Sequence, residues 1–165
     1  MSAPPAGAAV NAGAASSAQI GADTLSGIEN IIGSQGNDTI TFGNEANVID
    51  GQGGNDVIVA GGGDDIITGG AGSDALDGGA GNDIFVFAPG FGTDRIAGFD
   101  ANPAGGQDLL DLRAFGITAE TFASSVTITN LGTITMVSIG ADMFVLGGVG
   151  GNGANGLTQD DFILA

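Results

Sequence analysis

Acidic side chains recur every nine residues through the first half of the chain. Six consecutive frames begin at residues 33, 42, 51, 60, 69 and 78, and the sixth place of each holds an aspartate or its amide: Asp38, Asn47, Asp56, Asp65, Asp74 and Asp83. The preceding frame, 24–32, holds Glu29 at that place. Carboxylate and amide oxygens are the ligands of hard cations. The spacing therefore predicts cation binding by a repeated element.

The other places of the nonapeptide indicate which element repeats. The eighth place is always large and apolar, namely Ile31, Ile40, Ile49, Ile58, Ile67, Leu76 and Phe85, although only 42% of the chain is hydrophobic. A short piece with one inward residue is typical of a three-residue strand. The fourth place is glycine except at Glu45, as shown by Gly36, Gly54, Gly63, Gly72 and Gly81. Glycine there predicts a tight turn with positive φ and close backbone approach.

One strand and one turn reverse the chain once, so two nonapeptides complete a coil. We expect an all-β fold, a right-handed parallel β-roll with two nonapeptides per coil, whose stacked strands lie about 4.8 Å apart. Strict periodicity opposes the other interpretation of a glycine-rich acidic sequence, which is a disordered linker.

Stacking would place the sixth-place residues in two columns. Neighbouring carboxylates about 5 Å apart repel by up to roughly 3 kcal/mol at an effective dielectric constant of 20. Residues 33–86 contain nine acids and no base, so a cation must neutralise them. Calcium takes six or more oxygen ligands and suits carboxylates together with turn carbonyls better than magnesium does. We expect three to four ions, at Asp38–Asp56, Asp56–Asp74, Asp65–Asp83 and, more weakly, Asn47–Asp65.

Composition excludes several classes of function. The formal net charge is -17, which disfavours nucleic acid as a partner. The chain has no Cys or His, so disulfides, thiolate sites and the usual zinc ligand are absent. No apolar run is long enough to predict a membrane-spanning helix. Residues 1–22 lack the features of a Sec-type signal peptide and predict a flexible linker.

The nine-residue period is expected to end at residue 86. In residues 126–149, β-branched and polar residues alternate around turns at 130–132 and 140–142, which predicts antiparallel hairpins. We therefore divide the chain into a linker at 1–22, a roll at 23–86 and an antiparallel β-sandwich cap at 87–165.

The repeats resemble the RTX (repeats-in-toxin) calcium-binding nonapeptide family. The stretches "GGAGNDIFVFAPGFGTDRIAGFD", "DLLDLRAFGI" and "DDFILA" are similar to the C-terminal domain of serralysin-type proteases and to R-modules of mannuronan C5-epimerases. The resemblance covers about residues 23–165. It implies a calcium-binding module of a larger protein, with a type I secretion signal at the C-terminus. It also implies further acids after the roll, of which Asp100, Asp108 and Asp111 would hold one more ion or else lie in turns and strand ends.

The resemblance and the charge pattern together predict a function. We expect a non-catalytic, secreted calcium module from a Gram-negative bacterium, folded by extracellular calcium and exported by type I secretion machinery. The protease family's zinc motif requires histidine, which this chain lacks. The alternative is a polysaccharide-binding or adhesion module, although two Arg and no Lys disfavour direct binding of a polyanion.

Overall fold

The computed structural model describes residues 23–24, 30–102, 106–149 and 156–165, and the predictions for the linker and for Glu29 lie outside them. Short strands dominate these ranges. They are β1 (Asp23–Thr24), β2 (Asn30–Ile32), β3 (Thr39–Thr41), β4 (Val48–Asp50), β5 (Gly53–Gly54), β6 (Val57–Val59), β7 (Ile66–Thr68), β8 (Ala71–Gly72), β9 (Ala75–Asp77), β10 (Ile84–Val86), β11 (Thr93–Ala97), β12 (Leu109–Asp111), β13 (Thr127–Asn130), β14 (Ile134–Ile139), β15 (Asp142–Gly147) and β16 (Phe162–Ile163). One α-helix, α1 (Phe122–Ser125), and 3-10 turns at Arg113–Phe115 and Gln159–Asp161 complete the described elements.

Alternate nonapeptide strands build two main sheets. One has the order β1-β3-β6-β9-β11-β15-β14-β13 and the other the order β16-β12-β10-β7-β4-β2. Ile31 pairs with Ile49, and Ile49 with Ile67, in parallel register. Each strand therefore pairs with the strand two nonapeptides away, and the predicted parallel β-roll is confirmed.

The core is the seam between the two sheets. The middle residue of each roll strand points inward, because a three-residue strand turns only its centre to one face. These residues are almost fully buried and form two stacks: Ile31, Ile49, Ile67, Phe85, Leu110 and Phe162 in one sheet, and Ile40, Ile58, Leu76, Ile96 and Leu146 in the other. The eighth-place prediction is thus confirmed, and it extends into the C-terminal half.

The prediction that the period ends at residue 86 was wrong. Strand β11 pairs in parallel with β9, Ile96 facing Leu76. Residues 89–97 form a further nonapeptide that Phe87 and Ala88 shift out of phase by two residues. Strand β12 likewise continues the other sheet, Leu110 facing Phe85. Both sheets therefore cross the boundary that the sequence predicted at residues 86 and 87.

The predicted hairpins are present, but a separate sandwich is not confirmed. Strands β13, β14 and β15 pair antiparallel. Strand β15 also pairs in parallel with β11, so the hairpins extend the eight-stranded sheet. The C-terminal strand β16 joins the other sheet beside β12. Of the described residues, no helix has the length and apolar character to cross a membrane.

Candidate metal centre

The first column of acids contains four aspartates linked coil to coil. The backbone N–H of Asp38 donates to Asp56 Oδ1 at 2.8 Å, and that of Asp56 donates to Asp74 Oδ1 at 2.8 Å. The N–H of Asp74 donates to Asp94 Oδ1 at 2.9 Å. Each carboxylate thus reaches back to the preceding coil. Asp94 continues the column after a step of 20 residues rather than 18.

The second column follows the same rule on the other side of the roll. The N–H of Asn47 donates to Asp65 Oδ1 at 2.7 Å and that of Asp65 to Asp83 Oδ1 at 2.9 Å. The N–H of Asp83 donates to Asp108 Oδ1 at 2.9 Å. The structure therefore brings together all six sixth-place residues in the two predicted columns, and adds Asp108 to the second.

The columns are buried and leave oxygens without partners. Every member from Asp38 to Asp108 has a relative exposure of 3% or less. Buried oxygens without a hydrogen-bond partner are Oδ2 of Asp56, Asp65, Asp74, Asp83 and Asp94, together with Asn47 Oδ1. Buried polar groups normally have partners, since desolvation without compensation is unfavourable. The unpartnered carboxylate oxygens are available to a cation.

Burial raises the pKa values of these carboxyl groups. Desolvation is the largest cause at Asp56 and Asp83, whose pKa values rise to about 6, and at Asp94, whose pKa rises to about 7. Neighbouring acids of the same column add to the rise. Desolvation also raises the pKa values of Asp65, Asp74 and Asp108. Ionised columns therefore oppose folding when nothing neutralises them.

Glycines let the turns approach one another. Gly63 has φ +103°, and a Cβ built there would lie 2.6 Å from Ala46 N in the preceding coil. A Cβ on Gly69 would collide with the unpartnered Asp74 Oδ2. The fourth-place residues Gly54, Gly72 and Gly81 also have positive φ and no room for a Cβ, whereas Gly36 has neither feature. Glycine is thus required by the stacking itself.

A second ladder, which the sequence interpretation missed, runs beside each column at the fifth place. Asn37 Oδ1 accepts the N–H of Asn55 at 2.8 Å, and Asn55 Oδ1 accepts the N–H of Ser73 at 3.0 Å. On the other side, Asp64 Oδ1 accepts the N–H of Asn82 at 2.9 Å. These side chains reach forward, opposite to the sixth-place carboxylates. The recurrence of Asn and Asp at the fifth place was the available signal.

Comparison with known proteins agrees with this geometry. The model of the RTX calcium-binding nonapeptide repeat matches residues 23–58 and 50–85. Residues 23–85 therefore contain RTX calcium-binding nonapeptide repeats. RTX nonapeptide repeats bind calcium, and the buried acid columns have the hard oxygen donors that this ion takes.

Two solved structures resemble this chain over most of its length. Both are solution structures from the mannuronan C5-epimerase of Azotobacter vinelandii. The AlgE6R2 subunit is 29% identical with a TM-score of 0.58, covering 82% of this chain and 92% of that one. The AlgE6R3 subunit is 28% identical with a TM-score of 0.53, covering 88% and 81%. A search of the curated proteins finds no match.

The residues fit calcium, provided that the backbone contributes ligands. No three acidic side chains converge on one point within the described ranges. An ion between RTX coils would therefore take carboxylate oxygens from the column and carbonyl oxygens from the turns. Calcium accepts both kinds of oxygen.

The three acids predicted to hold one more ion after the roll do not all lie together. Asp108 Oδ2 accepts the Asp100 N–H at 2.8 Å, so these two residues lie together. The Asp111 carboxylate instead accepts Arg113 Nη2 at 2.6 Å, and this ion pair holds the pKa of Asp111 below its usual value. Arg113 therefore forms an ion pair with an acid two residues away. Asp111 is thus engaged by a guanidinium, and Asp108 belongs to the second column.

The first column ends in different ways at its two ends. Ser34 donates its N–H to Asp38 Oδ2 at 2.7 Å and its hydroxyl to the same oxygen at 3.0 Å. At the other end, Phe144 lies in register with Asp94 on the next strand and is fully buried. The Phe144 ring stacks on Phe87 with centroids 4.6 Å apart. An aromatic core therefore replaces the carboxylate beyond Asp94.

Proposed function

We propose that this chain is a calcium-dependent folding module that supports type I secretion and the stability of a larger secreted protein. One observation carries the proposal: two buried columns of carboxylates, each with oxygens that lack a hydrogen-bond partner. The module itself is non-catalytic. Its host is a Gram-negative bacterium, and residues 87–165 carry the signal that the secretion machinery reads.

In this proposal, calcium binds between carboxylates that are adjacent in a column, and each such pair is called a step. The first column offers Asp38–Asp56, Asp56–Asp74 and Asp74–Asp94. The second offers Asp65–Asp83 and Asp83–Asp108. The fourth-place glycines Gly36, Gly54, Gly63, Gly72 and Gly81 belong to the turns whose carbonyls complete the ligand sets. Asp100, which contacts Asp108, supports the last step, whereas Asp111 remains with Arg113.

The physics of the columns makes folding conditional on the ion. Without calcium, ionised carboxylates would be desolvated and would repel one another in the folded state, which favours an expanded chain. An expanded chain suits export through a narrow channel. Outside the cell, ligand at 100 times its dissociation constant adds about 2.7 kcal/mol per site. Several such sites together decide the folding equilibrium.

A calcium titration tests the proposal. Far-UV circular dichroism is recorded in EDTA and then with calcium raised to roughly 10 mM, above the affinity range of extracellular calcium modules. We expect a cooperative transition from coil to β-structure with calcium and none with equal magnesium. A β-rich spectrum in EDTA that calcium does not change would overturn the folding switch. Export of a fused reporter, with and without residues 87–165, tests the secretion signal.

The similarity to the epimerase subunits favours a second candidate, a polysaccharide-binding module. Direct binding of a polyanion has little support, because the chain has only two Arg and no Lys. Calcium would have to bridge the polymer to surface acids. Calorimetric titration of the folded module with mannuronan oligomers tests this candidate. Heat of binding in the presence of calcium that disappears when Asp64, an exposed acid, is neutralised would favour this candidate. The absence of binding would reject it.

A further inference from the structure

One member of the second column makes contacts unlike those of the aspartates. Asn47 Nδ2 donates to the Glu45 carbonyl oxygen and, at 3.2 Å, to Asp65 Oδ1. The Asn47 backbone N–H donates to the same Asp65 oxygen at 2.7 Å. A side-chain N–H group therefore lies between a turn carbonyl and the carboxylate of the next coil.

These two acceptors are the kinds of oxygen that calcium would take between coils. An amide N–H is a donor and cannot ligate a cation, so it satisfies the oxygens in place of an ion. The step also has one carboxylate rather than two, which weakens its attraction for calcium. Both effects make an ion there less favourable than at Asp65–Asp83.

The backbone of the same turn differs as well. Gly63 stands at the fourth place of the next coil with φ +103°. Glu45 occupies that place in its own coil and does not adopt a positive φ, as expected for a residue with a side chain. The Glu45 carbonyl faces Asn47 Nδ2. The substitutions at the fourth and sixth places therefore act together.

We propose that the Asn47 side-chain amide closes the Asn47–Asp65 step without calcium, so that the second column binds ions only from Asp65 onward. This inference rests on the proposed calcium binding of the other steps. The first coil of the second column is then joined to the next by hydrogen bonds that do not depend on the ion. It differs from the sequence-based expectation, which placed a weak ion at this step.

Counting bound calcium tests the inference. The full chain and its variants are saturated with calcium, shown to be folded by circular dichroism, and analysed by equilibrium dialysis with radioactive calcium. Asn47→Ala should bind as many ions as the parent chain, with a raised calcium midpoint because two hydrogen bonds are lost. Asn47→Asp should bind one ion more. Asn55→Asp is the matched control, since it adds the same charge at an exposed fifth place and should leave the count unchanged.

The outcomes separate this inference from the proposed function. One ion fewer in Asn47→Ala means that the amide turns over and ligates calcium through Oδ1, which overturns the inference. An unchanged count in Asn47→Asp contradicts the role given to the missing carboxylate. Asn47→Ser provides the same test if Asn47→Ala does not fold. A parent chain that binds no calcium overturns the proposed function instead.

Discussion

The backbone N–H of Asp56 donates to Oδ1 of Asp74, one coil further along, at 2.8 Å. This bond uses one carboxylate oxygen to join two coils and leaves Asp74 Oδ2 buried without a partner. The same residue therefore has a structural oxygen and a free one. The structural bond requires no charge, whereas the free oxygen requires neutralisation.

The fifth-place ladder should stabilise the roll independently of calcium. Asn55 Oδ1 accepts the Ser73 N–H at 3.0 Å on the exposed surface. Asn55→Ala should lower the free energy of unfolding by about 1 kcal/mol, the usual value of one hydrogen bond. Urea unfolding at two saturating calcium concentrations checks this, and the loss should be the same at both. Asn55→Asp keeps the acceptor and should lose less. A loss that grows as calcium is lowered would link this ladder to the ion.

Asp94 should behave as a calcium ligand although it lies outside the six regular repeats. Asp94→Asn keeps an oxygen for the Asp74 N–H but removes a charge that burial disfavours. The variant should be more stable than the parent chain in EDTA and less stable in calcium, where one ion is lost. The β-content by circular dichroism measures the sign in EDTA, where the chain is largely unfolded, and urea unfolding measures it in calcium. Asp77→Asn, outside the columns, is the control. A variant less stable than the parent in EDTA would refute this role.

The calcium-free chain should lose stability as the pH rises. Asp56 and Asp83 have pKa values of about 6 and Asp94 of about 7, all above the unfolded value of 3.8. A carboxyl group whose pKa is raised by folding holds its proton more tightly when folded, so its effect on stability becomes unfavourable as the pH rises through 6 and 7.

Circular dichroism in EDTA measures this effect, and more β-structure is expected at about pH 5 than at about pH 8. Asp111 acts in the opposite sense, since its pKa is lowered, but its stabilisation is lost only as the pH falls below 3.8. Greater β-content at the higher pH would show that the columns are not desolvated as described.

The loss of stability caused by crowding between stacked turns can be measured separately from the loss caused by backbone strain. Gly63 and Gly132 have nearly equal φ values, +103° and +97°, but a Cβ at Gly132 meets nothing within 4 Å. Gly132→Ala should lose about 1–2 kcal/mol from the left-handed conformation alone. Gly63→Ala should lose clearly more, because its Cβ would lie 2.6 Å from Ala46 N. Urea unfolding in saturating calcium compares the two. Equal losses would mean that the coils can separate without penalty.

The sequence predicted the periodic part of the molecule and failed where the period shifts. Asp38 to Asp83 were placed in the correct columns because their spacing of nine survives in the structure. Asp94 was not placed in a column, because Phe87 and Ala88 shift its nonapeptide out of phase by two residues. Strand pairing still continues past this insertion, since the two residues lie between strands. Asp108 follows Asp83 after 25 residues, so only the three-dimensional pairing of β12 with β10 reveals its place.

The contacts of Asn47 and Asp111 depend on side-chain geometry that spacing does not contain. Asn47 was expected to lie near an ion because of its place in the nonapeptide, whereas the family resemblance gave Asp111 either an ion or a place at a turn or strand end. The structure gives Asn47 two acceptors and Asp111 a guanidinium.

The most direct test of the central claim compares two adjacent acids. Asp65 is buried in the second column, with an unpartnered Oδ2, whereas Asp64 is exposed and its Oδ1 accepts the Asn82 N–H. Asp65→Asn and Asp64→Asn remove the same charge and keep an amide oxygen. The measurement is the calcium midpoint of folding by circular dichroism. A midpoint raised several-fold in Asp65→Asn, with Asp64→Asn close to the parent chain, is the predicted result, and equal midpoints in the two variants would contradict the account.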